Sequence, residues 1–407
     1  MTRKRREWSL DEFKVAEAPG LDRFHDFGLP LPLMRGIARL GFEYCTPIQS
    51  EALPYALSDY DIVGQAQTGT GKTAAFLIAL ITHQLENPLP APREPGFPRS
   101  LILAPTRELA MQIADDAVEI ARYCSTRVVS VIGGMDFERQ RLRLAEDAID
   151  ILVATPGRLI DFSRRRHVDL SRVESLVIDE ADRLMDMGFI PDVRRIVLMT
   201  PHKKARQTLF FSATYNDDVK RIAESWTREA IHIQVKPEQI AAESIDQQFW
   251  MVGRKDKLSV LKALLDTVGG TRVLVFVNRR DQGARVADGL KRLGANCQLL
   301  TGDVPQKKRL KVLSRFRDGE SPTLVATDVA GRGLHVEAIS HVVNFDLPYE
   351  ADDYVHRIGR TGRAGAEGKA VSFVCEDDAF SLPAIEEVLG STASCVHPPE
   401  SLLETLK

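Results

Sequence analysis

Short apolar runs alternate with longer segments of helical periodicity along most of the chain. The first series of runs comprises residues 61–64, 100–104, 127–132, 150–154, 175–178, 208–211 and 231–235, and the second comprises residues 248–252, 272–277, 297–300, 323–326, 341–345 and 370–374. Such short runs, many of them β-branched, are typical of strands buried on both faces in βαβ units. The two series predict an α/β fold with two tandem domains, each a parallel β-sheet flanked by helices.

Two segments interrupt this pattern. Residues 236–246 are polar and lie between the two series, so we expect a short linker there. Residues 86–99 contain five prolines, which exclude a helix or a central strand and predict a surface loop within the first domain. The predicted organisation is a flexible basic N-terminus at 1–20, a first domain at 21–235, the linker at 236–246, a second domain at 247–395 and a C-terminal extension at 396–407.

Composition fits this organisation and excludes several classes of protein. With 407 residues, 44% of them hydrophobic and 27% charged, the chain is long and apolar enough for two folded domains. It has no run of 18 apolar residues and no apolar stretch behind its charged N-terminus, so we expect neither a membrane span nor a secretory signal. Five scattered cysteines without a Cys-x-x-Cys pair indicate a reducing cytoplasm rather than a disulfide framework or a zinc site.

Charge is distributed unevenly along the chain. The net charge of −3, taken alone, argues mildly against a nucleic-acid partner. Residues 251–320, however, contain 16 basic and 7 acidic residues, whereas residues 321–407 contain 6 basic and 14 acidic residues. The basic block fits either a phosphate-binding surface or a set of solvated helix faces.

A glycine-rich loop follows the first predicted strand and precedes a helical segment at residues 74–84. In this strand–loop–helix setting the pattern predicts a phosphate-binding loop, although its first position is Ala rather than Gly. Lys72 would contact the β- and γ-phosphates of a nucleotide, and the Thr73 hydroxyl would bind Mg²⁺. The loop consists of Ala66, Gln67, Thr68, Gly69, Thr70, Gly71, Lys72 and Thr73.

Acidic residues directly follow the predicted strand at 175–178. Asp179 is placed to hold Mg²⁺ opposite the phosphate loop, and Glu180 to orient and deprotonate an attacking water. An acidic cluster after a strand is also a common helix N-cap. Together with the phosphate loop, however, the pair predicts nucleotide hydrolysis.

Three arginines spaced by glycines, Arg357, Arg360 and Arg363, lie in the second domain. Arginine can stabilise the charge that develops on a transferring phosphoryl group, and a surface salt-bridge cluster is the alternative explanation. If these arginines act on the nucleotide, hydrolysis requires the two domains to close around ATP.

With these elements in place, the sequence resembles the DEAD-box RNA helicases over residues 20–375, because Asp179–Asp182 spells the name of that family. The other family motifs follow in order: Phe24, Gly41-Phe42 and Thr46–Gln49 for the Q motif, then 66–73, 105–110, 133–134, 155–158, 212–214, 275–278 with Gln306 and Arg309, 326–333 and 356–363. The resemblance implies two RecA-like domains, the first an ATP-binding domain with the Q motif and the second the helicase C-terminal domain.

The resemblance also implies a role for each residue of the ATP site. Phe24 would stack on adenine and Gln49 would bond its edge. Lys72, Asp179, Glu180, Arg360, Arg363 and His356 would be catalytic, with ATP and Mg²⁺ bound by the phosphate loop and Asp179. Phe42, Asp328 and Gly333 would add nucleotide contacts, and Ser212 and Thr214 would couple the ATP site to the RNA site.

RNA would lie across both domains according to the same resemblance. Contacts to sugar and phosphate carry no sequence information, so recognition would be largely independent of sequence. Contacts to 2′-hydroxyls would favour RNA over DNA, and bending of one strand would separate a short duplex locally. The residues assigned to RNA are Arg107, Gly134, Thr155, Arg158, Asn278, Arg309 and Thr327.

Two further features concern the place of the chain within the family. Arg332–His335 departs from the usual Arg-Gly-x-Asp, so His335 cannot supply the carboxylate that meets the ribose. The same segment, with Leu300–Leu310 and Ser381–Glu386, resembles a bacterial subgroup that acts in the RNA degradosome, which implies an RNase E-type scaffold docked on the second domain. That subgroup usually ends in an Arg-rich tail, whereas this sequence ends at Leu402–Lys407 without one.

Three hypotheses remain open from the sequence. The first is a cytoplasmic ATP-dependent RNA helicase that unwinds short duplexes in RNA degradation. The second is an ATP-gated RNA clamp that nucleates a complex without significant unwinding. The third, which the Q motif and the DEAD tetrapeptide disfavour, is a DNA-dependent translocase.

Overall fold

The structure is a computed structural model that describes residues 8–66, 69–235, 245–328, 339–362, 368–400 and 402. The chain divides into two compact units, Met1–Lys236 and Pro237–Lys407. The division falls inside the predicted linker, most of which lies outside the described residues. Within the described ranges, no helix has both the length and the apolar character needed to cross a membrane.

The first unit is built on a parallel sheet. Its strands are β1 (Ile62–Gln65), β2 (Ser100–Leu103), β3 (Val128–Val131), β4 (Ile151–Ala154), β5 (Ser175–Ile178), β6 (Gln207–Ser212) and β7 (Ile231–Gln234). Its helices are α1 (Leu31–Leu40), α2 (Pro47–Ala56), α3 (Lys72–Glu86), α4 (Arg107–Ile120), α5 (Phe137–Glu146), α6 (Pro156–Arg164), α7 (Ala181–Asp186), α8 (Ile190–Met199) and α9 (Asp217–Trp226). Among the described residues the strand order is β3-β4-β2-β5-β6-β1-β7, and each pairing is parallel.

Each central strand of this sheet is covered on both faces. In β2, Leu101 and Leu103 belong to one hydrophobic cluster and Ile102 to the other. Strand β6 repeats the pattern, with Phe210 on one side and Phe211 on the other. Successive side chains of a strand point to opposite faces, so a strand buried on both sides is apolar throughout. This explains why the continuous apolar runs predicted strands correctly.

Helices α1 and α4 pack unusually closely on one face of the sheet. A Cβ atom added to Gly36 of α1 would lie 2.1 Å from the carbonyl oxygen of Ile120, the last residue of α4. That separation is far below van der Waals contact. Only glycine therefore allows the two helices to approach this closely at that point.

The second unit repeats the architecture with its own sheet. Its strands are β8 (Ile245–Met251), β9 (Arg272–Val277), β10 (Cys297–Leu300), β11 (Thr323–Thr327), β12 (Ile339–Asn344), β13 (Gly368–Val374) and β14 (Cys395–Val396). Its helices are α10 (Lys257–Thr267), α11 (Arg280–Arg292), α12 (Gln306–Arg317), α13 (Ala351–Ile358) and α14 (Leu382–Leu389). Among the described residues the parallel strands run in the order β10-β11-β9-β12-β13-β8-β14.

The predicted α/β class and the parallel sheets are confirmed, with three differences in detail. Strand β8 begins at Ile245, inside the segment predicted as linker. Helix α3 extends beyond the predicted run at both ends. Strand β14 was not predicted, because two residues carry no periodic signal. The proline-rich segment lies between α3 and β2 and forms neither helix nor strand over residues 87–99, as expected.

Candidate functional site

The predicted nucleotide-binding residues lie at the carboxyl edge of the first sheet. Strand β6 lies between β1 and β5, so the phosphate loop after β1 and the acidic residues after β5 flank the Ser212–Thr214 segment. The amide of Ala66 donates to the carbonyl of Ser212 at 3.0 Å, which holds the start of the phosphate loop against the end of β6. Ligands of open α/β sheets bind at this edge.

The phosphate loop uses glycine where its backbone requires it. Gly69 and Gly71 have φ angles of 92° and 91°, in the left-handed region that other residues rarely adopt. A Cβ atom on Gly71 would also lie 2.5 Å from Nε2 of Gln49. The loop therefore needs Gly71 for its backbone conformation and for the close approach of the Q motif. The loop residues Gln67 and Thr68 lie outside the described residues.

Gln49 joins the Q motif to the phosphate loop. Its Nε2 donates to the carbonyl oxygen of Gly71 at 3.0 Å, and its Oε1 accepts from the amide of Thr46 at 2.9 Å. A carboxamide has two N–H donors and two acceptor lone pairs, so one of each remains for the edge of a base. The geometry is compatible with the adenine contact expected of Gln49.

Phe24 is placed differently from our prediction. Its ring is only 1% exposed and belongs to the hydrophobic core of the first unit. A ring whose faces are both covered cannot stack on a base, so the structure argues against the adenine-stacking role of Phe24. Phe42 is partly exposed, and its ring centroid lies 6.3 Å from that of Phe24. Of the two phenylalanines assigned to the nucleotide, Phe42 is therefore the accessible one.

An ion pair connects the phosphate loop to the acidic motif. The Nζ atom of Lys72 lies 3.1 Å from Oδ1 of Asp179, and both side chains are buried. Burial alone would lower the pKa of Lys72, but the charges of Asp179, Glu180 and Asp182 outweigh burial and raise it. Burial raises the pKa of Asp179, and the neighbouring ammonium group opposes that rise. Lys72 therefore remains a cation in the site.

The donor atoms here fit a magnesium ion. Oδ2 of Asp179 is buried without a hydrogen-bond partner among the described residues, whereas Oδ1 accepts from the amide of Glu180 at 2.9 Å. Thr73, on the first turn of α3, is partly exposed next to the phosphate loop. A hard cation that keeps several waters needs only one carboxylate and one hydroxyl from the protein. No cluster of three or more His, Cys, Asp or Glu suited to a metal occurs in the described part of the chain.

Glu180 is held in a strained conformation. Its φ angle is 50°, in the left-handed region, and its carboxylate accepts from Nη1 of Arg183 at 2.8 Å. Both side chains are buried. A left-handed non-glycine residue costs free energy, and such residues concentrate at functional sites. The role of Arg183 in aiming this carboxylate was not predicted from the sequence.

Asp182 ties the acidic motif to the end of β6. Its Oδ2 accepts from the amides of Ala213 and Thr214 at 3.2 Å each, and from the Thr214 hydroxyl at 3.4 Å. Its own amide donates to the Ser212 hydroxyl at 3.3 Å. These contacts join the acidic motif to Ser212 and Thr214, the residues that we expected to couple the ATP site to the RNA site. The sequence did not indicate this role of Asp182, because its partners lie 30 to 32 residues further along the chain.

Four of the expected RNA-contacting residues meet at the ends of β2, β3 and β4. Thr155 is the N-cap of α6, and its hydroxyl accepts from the backbone amide of Gly133, the residue before Gly134, at 3.3 Å. Both terminal nitrogens of Arg158 donate to the carbonyl of Met135 at 3.2 Å. The side chain of Arg107 lies against Gly133. We call Arg107, Gly134, Thr155 and Arg158 the first-unit surface.

In the second unit Arg357 is the centre of a buried network rather than one of three equivalent arginines. Its side chain is 1% exposed and donates to both carboxylate oxygens of Asp328, at 2.6 and 2.7 Å, and to Oδ1 of Asn278 at 2.7 Å. It also donates to the carbonyl of Asp346 at 2.6 Å. The Nδ2 atom of Asn278 donates to the carbonyl oxygen of Leu347 at 2.8 Å.

This network includes two residues with predicted functions. The side-chain amide of Asn278 has one protein partner at each of its ends, which leaves one donor and one acceptor, so its RNA contact stays a prediction. Each carboxylate oxygen of Asp328 accepts once from Arg357 and keeps a second acceptor position, so the nucleotide contact of Asp328 also stays a prediction. Sequence spacing could not reveal these pairs, because Arg357 lies 29 residues from Asp328 and 79 from Asn278.

The remaining predicted residues of the second unit differ in their exposure. Arg360 is buried, and its Nε donates to the carbonyl of His356 at 3.1 Å. Arg309 and Thr327 are also buried, in α12 and at the end of β11, so neither offers the open surface expected of an RNA contact. Gly333, His335 and Arg363 lie outside the described residues, so their predicted roles remain predictions.

A second buried cation supports the same edge of this sheet and was also missed. Nζ of Lys257 donates to the Asp378 carboxylate at 2.7 Å and to the carbonyl of Phe345 at 2.9 Å. Asp346 accepts from the amide of Asn278 and from the side chain of Gln282. Burial raises the pKa of Asp346, although these hydrogen bonds and Lys257 oppose the rise.

Comparison with known proteins places this geometry in a family. The family model described as DEAD/DEAH box helicase matches residues 46–222, and the model described as helicase conserved C-terminal domain matches residues 256–365. The chain belongs to the DEAD/DEAH box helicase family. The predicted family, the two RecA-like domains and the enzyme class of ATP-dependent RNA helicase are therefore confirmed.

Individual relatives agree with this assignment over nearly the whole chain. Curated proteins named ATP-dependent RNA helicase RhlB are 52% identical in Pseudomonas syringae, over 95% of this chain and 98% of that protein, and 46% identical in Psychromonas ingrahamii, over 94% and 92%. The solved structure of S. cerevisiae Dbp5 bound to RNA and ADP BeF3 has a TM-score of 0.81 at 29% identity, covering 95% of this chain and all of that one. Mss116p bound to ssRNA and AMP-PNP has a TM-score of 0.83 at 27% identity, covering 96% and 83%.

Replacing Arg357 with Met should strongly destabilise this DEAD-box protein. The change removes the guanidinium group that donates to the Asp328 carboxylate and to Oδ1 of Asn278. Breaking a buried ion pair in this way costs about 3–5 kcal/mol. Urea unfolding should show a lower midpoint for the second unit. Arg279→Met, which removes an exposed arginine on the same unit, should change the free energy of unfolding by less than about 0.5 kcal/mol. Equal midpoints for the two variants would contradict the structural role of Arg357.

Proposed function

We propose that this protein hydrolyses ATP to ADP and phosphate when RNA is bound, and that the cycle separates short RNA duplexes locally. The observation that supports this most directly is the buried Lys72–Asp179 pair beside the Asp182–Thr214 link. The proposed RNA-contacting residues begin on the same edge of the same sheet, after β2, which lies next to the strand that carries the acidic motif. The amide of Asp179 also donates to the carbonyl of Leu103, the last residue of β2, at 3.0 Å, so the acidic motif directly adjoins the strand that leads to Arg107.

Within the ATP site each residue has a distinct proposed task. Lys72 remains charged and faces the phosphates, while Gln49 and Phe42 hold the base. Glu180, aimed by Arg183, takes the proton from the attacking water. Mg²⁺ bound by Asp179 and Thr73 would neutralise charge on the phosphates.

The second unit contributes positive charge to hydrolysis in this proposal. Arg360, and by resemblance Arg363, would stabilise the charge of the transferring phosphoryl group. His356 would help to position that group. The buried network around Arg357 serves a different purpose, because it fixes the C-terminal part of α13, directly before Arg360. Turnover would then require both units.

Recognition of RNA would depend on its backbone. The first-unit surface offers two partly exposed arginines and the exposed backbone at Gly134, which are groups that bind phosphate and sugar, whereas Thr155 is buried and its hydroxyl accepts from the amide of Gly133. Binding would therefore be largely independent of sequence, and 2′-hydroxyl contacts would favour RNA over DNA.

Glu180→Gln should keep the binding of ATP and RNA but stop turnover. The amide fills the same space and cannot accept a proton, so kcat should fall at least about 100-fold. RNA-stimulated phosphate release and displacement of a ~10-base-pair RNA strand should both be measured, with Glu224→Gln, an exposed carboxylate on the same unit, as the control. Normal turnover in Glu180→Gln would contradict the assignment.

The same assays on the unaltered protein distinguish the two alternative functions. ATPase activity without strand displacement would favour an ATP-gated RNA clamp. Stimulation by DNA as strong as by RNA would favour a DNA translocase.

Arg360→Ala should retain ATP binding by the first unit and lose hydrolysis. Loss of an arginine that stabilises the transition state lowers kcat by about 10³-fold or more. Nucleotide affinity should be measured with a fluorescent ATP analogue, and kcat with saturating RNA. Because Arg360 is buried, the urea midpoint should be measured as well, and Arg285→Ala, an exposed arginine of α11, is the matched control. Full hydrolysis in a folded Arg360→Ala variant would refute the proposed role.

A protein partner is proposed for the second unit, namely an RNase E-type scaffold of the RNA degradosome in the cytoplasm. The resemblance to proteins named RhlB supports the choice of partner. Large apolar side chains are exposed on segments that surround one small hydrophobic cluster of this unit, with Phe380 at 92% and Tyr349 at 74% exposure, and Val388 and Val396 about half exposed. All five cysteines are free thiols, in keeping with a reducing compartment.

The double variant Phe380→Ser, Val388→Ser should weaken binding of a purified RNase E-type scaffold fragment at least tenfold. The substitutions remove apolar area from the proposed interface and leave the ATP-site residues intact. Calorimetry should measure affinity, and RNA-stimulated ATPase activity should remain unchanged. Leu198→Ser is the control, because Leu198 is 79% exposed but lies on the first unit. Unchanged affinity of the double variant would exclude this surface as the docking site.

A further inference from the structure

The segment before the Q motif folds back onto the residues that we propose to read the base. We call residues 8–23 the N-terminal strap and residues 42–49 the base-reading segment. Trp8 and Phe13 of the strap pack against the hydrophobic core of the first unit. Phe13 also stacks on the His25 ring, with centroids 5.0 Å apart, and its carbonyl accepts from Nε2 of His25 at 2.7 Å. The strap is therefore anchored along its length to the folded unit.

Backbone contacts join the end of the strap directly to the base-reading segment. Arg23 and Tyr44 form an antiparallel bridge, and the amide of Cys45 donates to the carbonyl of Asp22 at 2.8 Å. The base-reading segment is irregular until α2 begins at Pro47. The bridge therefore fixes the backbone between Phe42 and the helix that carries Gln49.

Side-chain hydrogen bonds also connect Arg23 and Tyr44 to the strap. The Tyr44 hydroxyl donates to the carbonyl of Ala16 at 3.0 Å, and Nη1 of Arg23 donates to the carbonyl of Val15 at 3.2 Å. The guanidinium group of Arg23 also binds Glu17 and Asp26. Two consecutive carbonyls of the strap thus accept from Arg23, at the end of the strap itself, and from Tyr44 of the base-reading segment, so displacement of residues 8–17 would release the Tyr44 hydroxyl.

We propose that the N-terminal strap sets nucleobase preference by positioning the base-reading segment, with Tyr44 and Arg23 as positioning residues. Tyr44 lies two residues from Phe42 and five from Gln49. The adenine contacts proposed for those residues require their separation to be fixed within a fraction of an ångström. The strap touches neither the phosphate loop nor the acidic motif through any contact described above. Its loss should therefore affect recognition of the base and spare the chemical step. This inference rests on the proposed adenine-reading role of Gln49.

Deletion of residues 1–17 tests the proposal in the otherwise intact chain. With saturating RNA, the KM for ATP should rise about three- to tenfold, while kcat and the KM for GTP should change less than twofold. The preference for ATP over GTP should shrink accordingly. An equal change for both nucleotides, or a fall in kcat alone, would indicate a merely structural role and overturn the proposal.

Deletion of residues 1–17 also removes Trp8 and Phe13, which pack on the core of the first unit. A point variant that keeps both residues therefore provides a second test. Tyr44→Phe combined with Arg23→Met removes the bonds to Ala16 and Val15 and retains the strap. It should shift the ATP preference in the same direction, and an unchanged preference in this folded variant would refute the proposal. Tyr55→Phe, an exposed tyrosine on α2, is the matched control and should match the unaltered protein.

Gln49→Ala separates failure of this inference from failure of the proposed function. If Gln49→Ala loses the ATP preference while both strap variants keep it, the base is read as proposed and the strap has no part in it. If Gln49→Ala also keeps the preference, the adenine-reading role itself is wrong, and the strap proposal falls with it.

Discussion

The contact between Lys72 and Asp179 is the interaction on which the organisation of the first unit depends. Both charges are buried, and neither could remain ionised at acceptable cost without the other or a ligand that replaces it. The pair therefore keeps the start of α3 against the end of β5, with β6 between them. The strained Glu180 and the Asp182 link follow directly from Asp179 in the chain, so their positions are set by the same contact.

Much of the fold could be predicted from the sequence, because a strand buried on both faces must be apolar throughout and such runs are easily recognised. The carboxyl edge of the first sheet could be predicted as well, since the phosphate loop and the acidic residues each follow a strand. The position of the Phe24 ring could not be predicted from the sequence. The spacing of Phe24 from Gly41 matches the family, but spacing does not reveal which way a ring points, and the core of the unit encloses it.

The second unit was predicted less completely for a related reason. Its function-bearing segment contains three arginines that look equivalent in the sequence, yet the helix distinguishes them. Arg357 lies within α13, one turn from the buried Tyr354, and faces inward, whereas Arg360 follows the end of the helix. The partners of Arg357 come from the ends of β9, β11 and β12. Only the assembled sheet brings these chain segments together, so local pattern cannot identify them.

The approach of α1 to α4 at Gly36 has a mechanical consequence. Helix α1 leads into the segment that carries Phe42, and α4 begins at Arg107, at the opposite end from its contact with α1. At Gly36 backbone lies against backbone, and one turn further along the side chains of Arg39 and Glu119 pair across the two helices. The end of α4 is therefore packed directly on the helix that leads to Phe42, so a larger residue at position 36 would force the two helices apart and disturb both ends of this contact.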